Sequence, residues 1–192
     1  MSALRAVVAF LLVTVALLMQ VSVMSHLAWN GVVPNLCLLV VVGAALVRGP
    51  EFGAVLGFAA GVALDLAPPA DHVAGRWALA LVVVGWLVGR LRAQNGAEAR
   101  PSAGSVVLTV AAASFVGSSV FAFTGMLLSD PAMGVRDTLV VIVTALLYDV
   151  VATPFVLPVV LGVMRRTETE RSRATVRRET RLEPRPGAGV GR

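Results

Sequence analysis

The sequence predicts an all-α polytopic membrane protein with six transmembrane helices, and three observations predict it. Of its 192 residues 57% are hydrophobic and only 14% charged, and a mean hydropathy of +0.85 leaves too few polar side chains to coat a water-facing surface. The apolar residues fall in long runs without the two-residue alternation of a membrane barrel. A lipid-exposed backbone in such runs can pair with itself only as helix. The charge is also lopsided along the chain, as expected of a threaded polypeptide. An ordinary soluble enzyme is excluded by this composition.

The first run, 6–24, follows Arg5 and has the charged start of a signal peptide, but no small-x-small cleavage site comes after it, so it reads as an uncleaved helix. The second, 33–47, opens with Pro34, whose missing N–H suits a first helical turn. Arg48, Gly49, Pro50 and Glu51 then stop one helix and start the next, a tight turn between two short antiparallel spans. The third run covers 52–66. The fourth, 77–89, extends back toward Val73, with Arg76 snorkelling outward from its first turn. The fifth covers 106–128 and the sixth 139–164. Each is set against the roughly 20 apolar residues that a helix needs to cross the hydrocarbon core, with some tolerance for shorter spans.

Together they form one domain, 1–164, followed by a basic tail, 165–192. The first half of the tail reads as a frayed charged helix. Its end, with Pro184, Pro186 and three late glycines, reads as disordered.

All 16 basic residues are arginine, opposed by 11 acids, for a net charge of +5. With the amino terminus inside, 14 of the 16 arginines fall on the cytoplasmic side and only Arg76 and Arg136 outside. The positive-inside rule therefore puts both termini in the cytoplasm. The tail alone carries the excess charge, and no aromatic interleaving or nucleic-acid motif accompanies it. Anionic membrane lipid is its expected partner, contacted by Arg165, Arg166, Arg171, Arg173, Arg177 and Arg178; nucleic acid is not.

Several residues invite a chemical role. Gly53, Gly57 and Gly61 repeat every four residues and place three missing side chains on one helical face. In lipid such a face marks helix packing or partner binding, because association there depends on backbone approach. Ala113 with Gly117, and Ser114 with Ser118, repeat the small-residue spacing in the fifth span. Asp65 continues the glycine series to the outer end of its helix, where it caps or hydrogen-bonds the Pro68, Pro69 turn.

Asp149 is more demanding. Counted from Thr138 at 1.5 Å per residue it lies on the order of 16 Å deep, near the bilayer middle, so it must face protein or a cavity, be paired or be neutral. Cys37 reads as a buried small hydrophobe. His26, His72 and Asp71 fall outside without metal-ligand spacing, so neither metal nor cofactor is expected. No nucleophile elbow, P-loop or dinucleotide fingerprint is present, which points away from an enzyme and from ATP-driven transport by this chain alone.

Between Pro34 and Leu91 the chain resembles the bacterial rod shape-determining MreD family. The resemblance lies in Pro34-Asn35-Leu36 opening a span, the Arg48-Gly49-Pro50 turn, Gly53, Gly57-Phe58 and Gly61 ending in Leu64-Asp65-Leu66, and Gly75 ahead of the run closing with Val84-Gly85-Trp86-Leu87-Val88-Gly89-Arg90. It implies a non-enzymatic adapter of the cell-wall elongation machinery, acting in peptidoglycan synthesis and cell shape at the bacterial inner membrane. It also implies as partners an MreC-like bitopic protein and, through it, MreB, RodA and a class B penicillin-binding protein. The fold it implies is similar to the S components of energy-coupling-factor transporters. The glycine groove would then receive the partner's helix. The rival expectation is an S-like subunit holding a small solute where Asp65, Asp149 and the serines of the fifth span converge.

Overall fold

The computed structural model describes residues 3–29, 31–68, 73–94, 102–128 and 134–182, with 168–182 as helical backbone. Six α-helices follow one another: α1 (Ala3–Ser22), α2 (Leu36–Arg48), α3 (Pro50–Leu66), α4 (Arg76–Gln94), α5 (Ala103–Leu127) and α6 (Val135–Leu182), with a 3-10 turn, Met24–Leu27, after α1. Among the described residues there is no β-strand. Four helices are long and apolar enough to cross a membrane, over Leu4–Ser22, Arg76–Gln94, Ala103–Leu127 and Arg136–Thr167. By itself α2, at 13 residues, is shorter than a span requires, and α3, at 17, is at the lower limit.

The reason is legible in α2, the centre of the bundle. Every residue from Leu36 to Leu46 is buried, and each of the other five helices packs against it. A helix sheathed by protein has no lipid thickness to match, and its composition is accordingly apolar all round. It begins later than Pro34: Asn35 is the N-cap, its side-chain oxygen accepting the Leu38 N–H at 2.9 Å. Pro34 lies ahead of the helix. At the far end Gly49 takes φ +87°, a left-handed value that suits glycine, and its N–H donates to the Ala45 carbonyl at 2.9 Å. Pro50 opens α3 at once.

The α3 and α4 helices lie backbone on backbone. A Cβ on Gly57 would fall on the Leu81 carbonyl, one on Gly53 on the Gly85 carbonyl and one on Gly61 on the Ala78 backbone. From the other side, a Cβ on Gly85 would strike Gly53 and one on Gly89 would strike Pro50. The glycine face expected as packing or partner surface is filled by α4. It is not open to a partner helix.

Arg48, at the end of α2, donates from Nη1 to the Arg5 carbonyl at 3.4 Å and from Nη2 to Thr167 Oγ at 2.7 Å. Its guanidinium also lies 4.5 Å from the centre of the Phe52 ring. The start of α1, the end of α2, the start of α3 and the Thr167 level of α6 therefore share one end of the bundle, called here the arginine end. Pro50 against Gly89 brings the last turns of α4 to the same end.

Beyond Thr167 the α6 helix runs on to Leu182, through residues expected as a frayed helix leading into disorder. Its arginine and glutamate content favours helix. Residues 183–192, including Pro184 and Pro186, lie outside the described residues.

Candidate functional site

The buried polar groups gather at two places away from the arginine end. The first is the start of α2. Asp149, on α6 and only 1% exposed, accepts the Asn35 N–H on Oδ1 at 2.7 Å and the Ser114 hydroxyl of α5 on Oδ2 at 2.7 Å. Gln20 of α1 adds Oε1 as acceptor for the Cys37 N–H at 3.3 Å. With Asn35 Oδ1 on Leu38 and the Asn35 carbonyl on Leu39, the first N–H groups of α2 have acceptors. A carboxylate here also sits at the positive end of the helix dipole.

Three helices are thus joined through one acid, and Gln20 ties in α1 beside it. The exception is the Asn35 Nδ2, a buried donor with no partner. Below the acid, Thr153 Oγ donates to the Asp149 carbonyl at 2.7 Å, in the turn where Pro154 leaves the helical ladder short of one donor.

Asp149 lies between the two ends of the candidate span Arg136–Thr167. Measured from Thr167 at the arginine end it is about 27 Å along α6, and its partner Asn35 is about 20 Å along α2 from Arg48. From the start of α6 at Val135, three residues before Thr138, the acid is about 21 Å along the helix. The neighbouring Tyr148 hydroxyl donates to the Leu27 carbonyl at 3.0 Å. Consecutive residues of α6 therefore hold both ends of the α1 to α2 connection.

The second place is the start of α4. Asp65 is 3% exposed and accepts the N–H groups of Gly75 at 2.8 Å, Trp77 at 3.1 Å and Ala78 at 3.1 Å. It was expected at the outer end of its helix as a capping or hydrogen-bonding group; it stands at the last turn of α3 as an N-cap supplied to the neighbouring helix, where Gly75 at φ +101° turns the chain back over it. That cap also starts α4 at Arg76 rather than nearer Val73.

Arg76 does not snorkel outward. It is 8% exposed, donates from Nε and Nη2 to the Phe121 carbonyl at 3.2 and 2.9 Å, and lies 3.9 Å from the centre of the Phe121 ring. Trp77 stacks on the same ring with centroids 4.5 Å apart. The guanidinium occupies space that Gly125 leaves free, since a Cβ there would strike it.

Of the residues expected to converge on a solute, Asp149 and Ser114 meet and Asp65 is engaged elsewhere. Ser118, one turn from Ser114, is half-buried. Ala113 is buried, and a Cβ on Gly117 would lie 3.2 Å from Leu38 and 3.3 Å from Val84, so this face packs on α2 and α4. Cys37 is buried among apolar residues. His26 is exposed in the 3-10 turn, and His72 and Asp71 lie outside the described residues. Among the described residues no group of three or more histidine, cysteine or acidic side chains is placed to hold a metal.

Arg165 is half-buried and Arg166 exposed; Arg171, Arg173, Arg177 and Arg178 belong to the helical backbone beyond the described side chains. Sequence reasoning missed Asn35, Gln20 and Arg48 as junction residues. For Asn35 the signal was present, an amide directly after Pro34 and before an apolar run.

Comparison with models of known families, with curated proteins and with solved structures finds no match to this chain.

Proposed function

We propose that this chain is a non-enzymatic adapter in the bacterial inner membrane, a six-span scaffold of the cell-wall elongation machinery that binds an MreC-like partner. The observation that carries the reading is the structural use of the residues that resemble the MreD family. Asn35 caps α2, Gly49-Pro50 turns α2 into α3, Gly53, Gly57 and Gly61 seat α3 on Gly85 and its neighbours, and Asp65 caps α4 beyond Gly75. The described helices of the resembling segment, α2, α3 and α4, pack on one another. They make the scaffold, and partner contacts fall on the outward faces rather than in the glycine groove.

Six crossings are supported by the alternation of helix direction. The described start of α1 and the Thr167 level of α6 meet Arg48 at one end, as an even number of passes requires. The arginine asymmetry assigns that end to the cytoplasm. A sheathed α2, prolonged by the segment before Asn35, does not need the apolar length of a lipid-facing span. The deciding experiment is crosslinking from intact membranes with identification of what is attached. Wall-synthesis proteins are the expected products, and a transporter coupling subunit in their place would overturn the adapter.

One observation favours a second reading, a solute-binding subunit similar to the S components. Asn35, Ser114 and Asp149 converge from three helices, and the Asn35 amide has hydrogen-bonding capacity to spare. Retention of a small molecule by the purified chain, lost in Asp149→Ala, would support it.

A further inference from the structure

The outward apolar faces of the bundle differ in height. Along α6 the exposed side chains Leu139, Val143, Leu147, Val151, Phe155 and Val159 recur at every fourth residue, a stripe about 30 Å tall. Those of α5 run from Leu108 to Leu127, about 29 Å. Both match a hydrocarbon layer of about 30 Å. The α3–α4 pair does not. On α3 only about 23 Å separates the exposed Glu51 from Leu66, where the helix stops. Past Leu66 the exposed backbone at Pro68 and at 73–75 is not helical, and such backbone must reach headgroups or water. On α4 the distance from Gly75 to the exposed Arg90 is about 22 Å. The Arg90 guanidinium lies 5.3 Å from the centre of the Trp86 ring, one turn back along the helix. An exposed tryptophan under a cation belongs at headgroup level, so the hydrocarbon on this side ends before Arg90.

Two contacts fix the relative heights of α4 and α5. Trp77 stacks on Phe121, and a Cβ on Gly117 would lie 3.3 Å from Val84. Beyond Phe121, α5 continues for about 9 Å to Leu127, whereas Gly75 is only about 3 Å along the chain from Trp77. Toward the arginine end α5 runs about 18 Å from Gly117 to Ser105, whereas Val84 to Arg90 is about 9 Å. The short face is therefore overtopped at both ends. A span that is too long tilts to fit, but tilting only worsens one that is too short, so the bilayer must yield instead. We propose that the bilayer is thinned along the α3–α4 face, to about 20 Å of hydrocarbon against about 30 Å beside α5 and α6, and that short or disordered phospholipid acyl chains pack there. The exposed Trp86–Arg90 pair favours lipid over a partner helix as the occupant, since both groups suit a headgroup layer. This rests on the six-span reading, in which α3 and α4 both cross, and it leaves the other outward faces to a partner.

The test uses the full chain in dioleoylphosphatidylcholine vesicles, with spin labels on single cysteines in a Cys37→Ala background. Depth is read from accessibility to oxygen and to a nickel chelate. The contacts above place Leu66→Cys near the level of Phe123→Cys, and Leu87→Cys near that of Phe115→Cys; all four parent side chains are exposed. In both pairs the label on α3 or α4 should lie about 5 Å or more closer to the headgroups than its α5 counterpart. Equal depths within the pairs overturn the thinning. Differences of opposite sign in the two pairs report a tilt of the whole bundle and overturn it as well. Labels at Leu66 and Leu87 shielded from both reagents overturn lipid as the occupant, because a second copy of the chain then covers the face. Phe58→Cys, midway along α3, checks the crossing separately: nickel access there refutes the span itself, whereas hydrocarbon depth there with equal depths in the pairs refutes the thinning alone.

Discussion

The α3–α4 pair and the junction of α2, α5 and α6 join helices in opposite ways. Between α3 and α4 side chains are absent, and carbonyl and Cα atoms of one helix occupy the places where the other would carry Cβ atoms. At the junction the helices are held by polar side chains, with Asp149 reaching Asn35 on one oxygen and Ser114 on the other. In lipid neither can draw on the expulsion of water. The first gains dispersion contacts along several turns and fails if any one position grows. The second concentrates its energy in one acid and fails if that acid is removed. The comparison teaches that tolerance to substitution is set by how a contact is spread, not by burial alone.

The sharpest way to break the comparison is Gly57→Leu. The new side chain would start on the Leu81 carbonyl, where only backbone movement makes room. A destabilisation of about 3 kcal/mol or more is expected, with loss of monodisperse protein in detergent chromatography. Since α4 fills this groove, the variant tests the hairpin and not partner capture.

Next comes Asp149→Ala, which leaves the Asn35 N–H and the Ser114 hydroxyl without their acceptor. About 2–4 kcal/mol is expected by denaturation in mixed micelles. A double-mutant cycle with Ser114→Ala should show a coupling of about 1 kcal/mol, and strict additivity would mean that the 2.7 Å contact contributes nothing. Asp65→Ala removes an acceptor shared by three N–H groups. A cost of about 1–2 kcal/mol, with faster amide exchange confined to the first turn of α4, is the expected outcome.

The smallest effect sharpens the contrast from the other side. Gly162 on α6 has nothing within 4 Å of where a Cβ would stand. Gly162→Ala should stabilise by about 0.5–1 kcal/mol in the same denaturation series, through helix propensity alone.

These regions also divide what the sequence could tell. The glycine periodicity at 53, 57 and 61 was readable because spacing on a helix fixes a face, but spacing alone does not name the neighbour; Gly85 and Gly89 supply it. The Arg48-Gly49-Pro50 turn was readable because each residue has a local conformational preference. The recipient of the Asp65 cap and the burial of Arg76 were not legible for one shared reason. Both residues were read from chain position, whereas a partner on another segment, Gly75 for the acid and Phe121 for the arginine, decides their burial. The late start of α2 follows the same logic, since its acceptor on α6 lies 114 residues away in sequence.

The enclosure of α2 also bears on how the chain is made. The second helix to leave the ribosome ends up with no lipid-facing side, yet several of the helices that enclose it are synthesised after it. Until α6 arrives, the Gly43 side that finally receives Val160 and Leu157 has no protein against it. A nascent chain stalled before α6 would therefore hold an apolar stub of 13 residues, too short to rest stably in a bilayer by itself. Such an intermediate is a natural target for membrane chaperones and proteases, so truncation within α6 should be read out as degradation rather than as a smaller bundle.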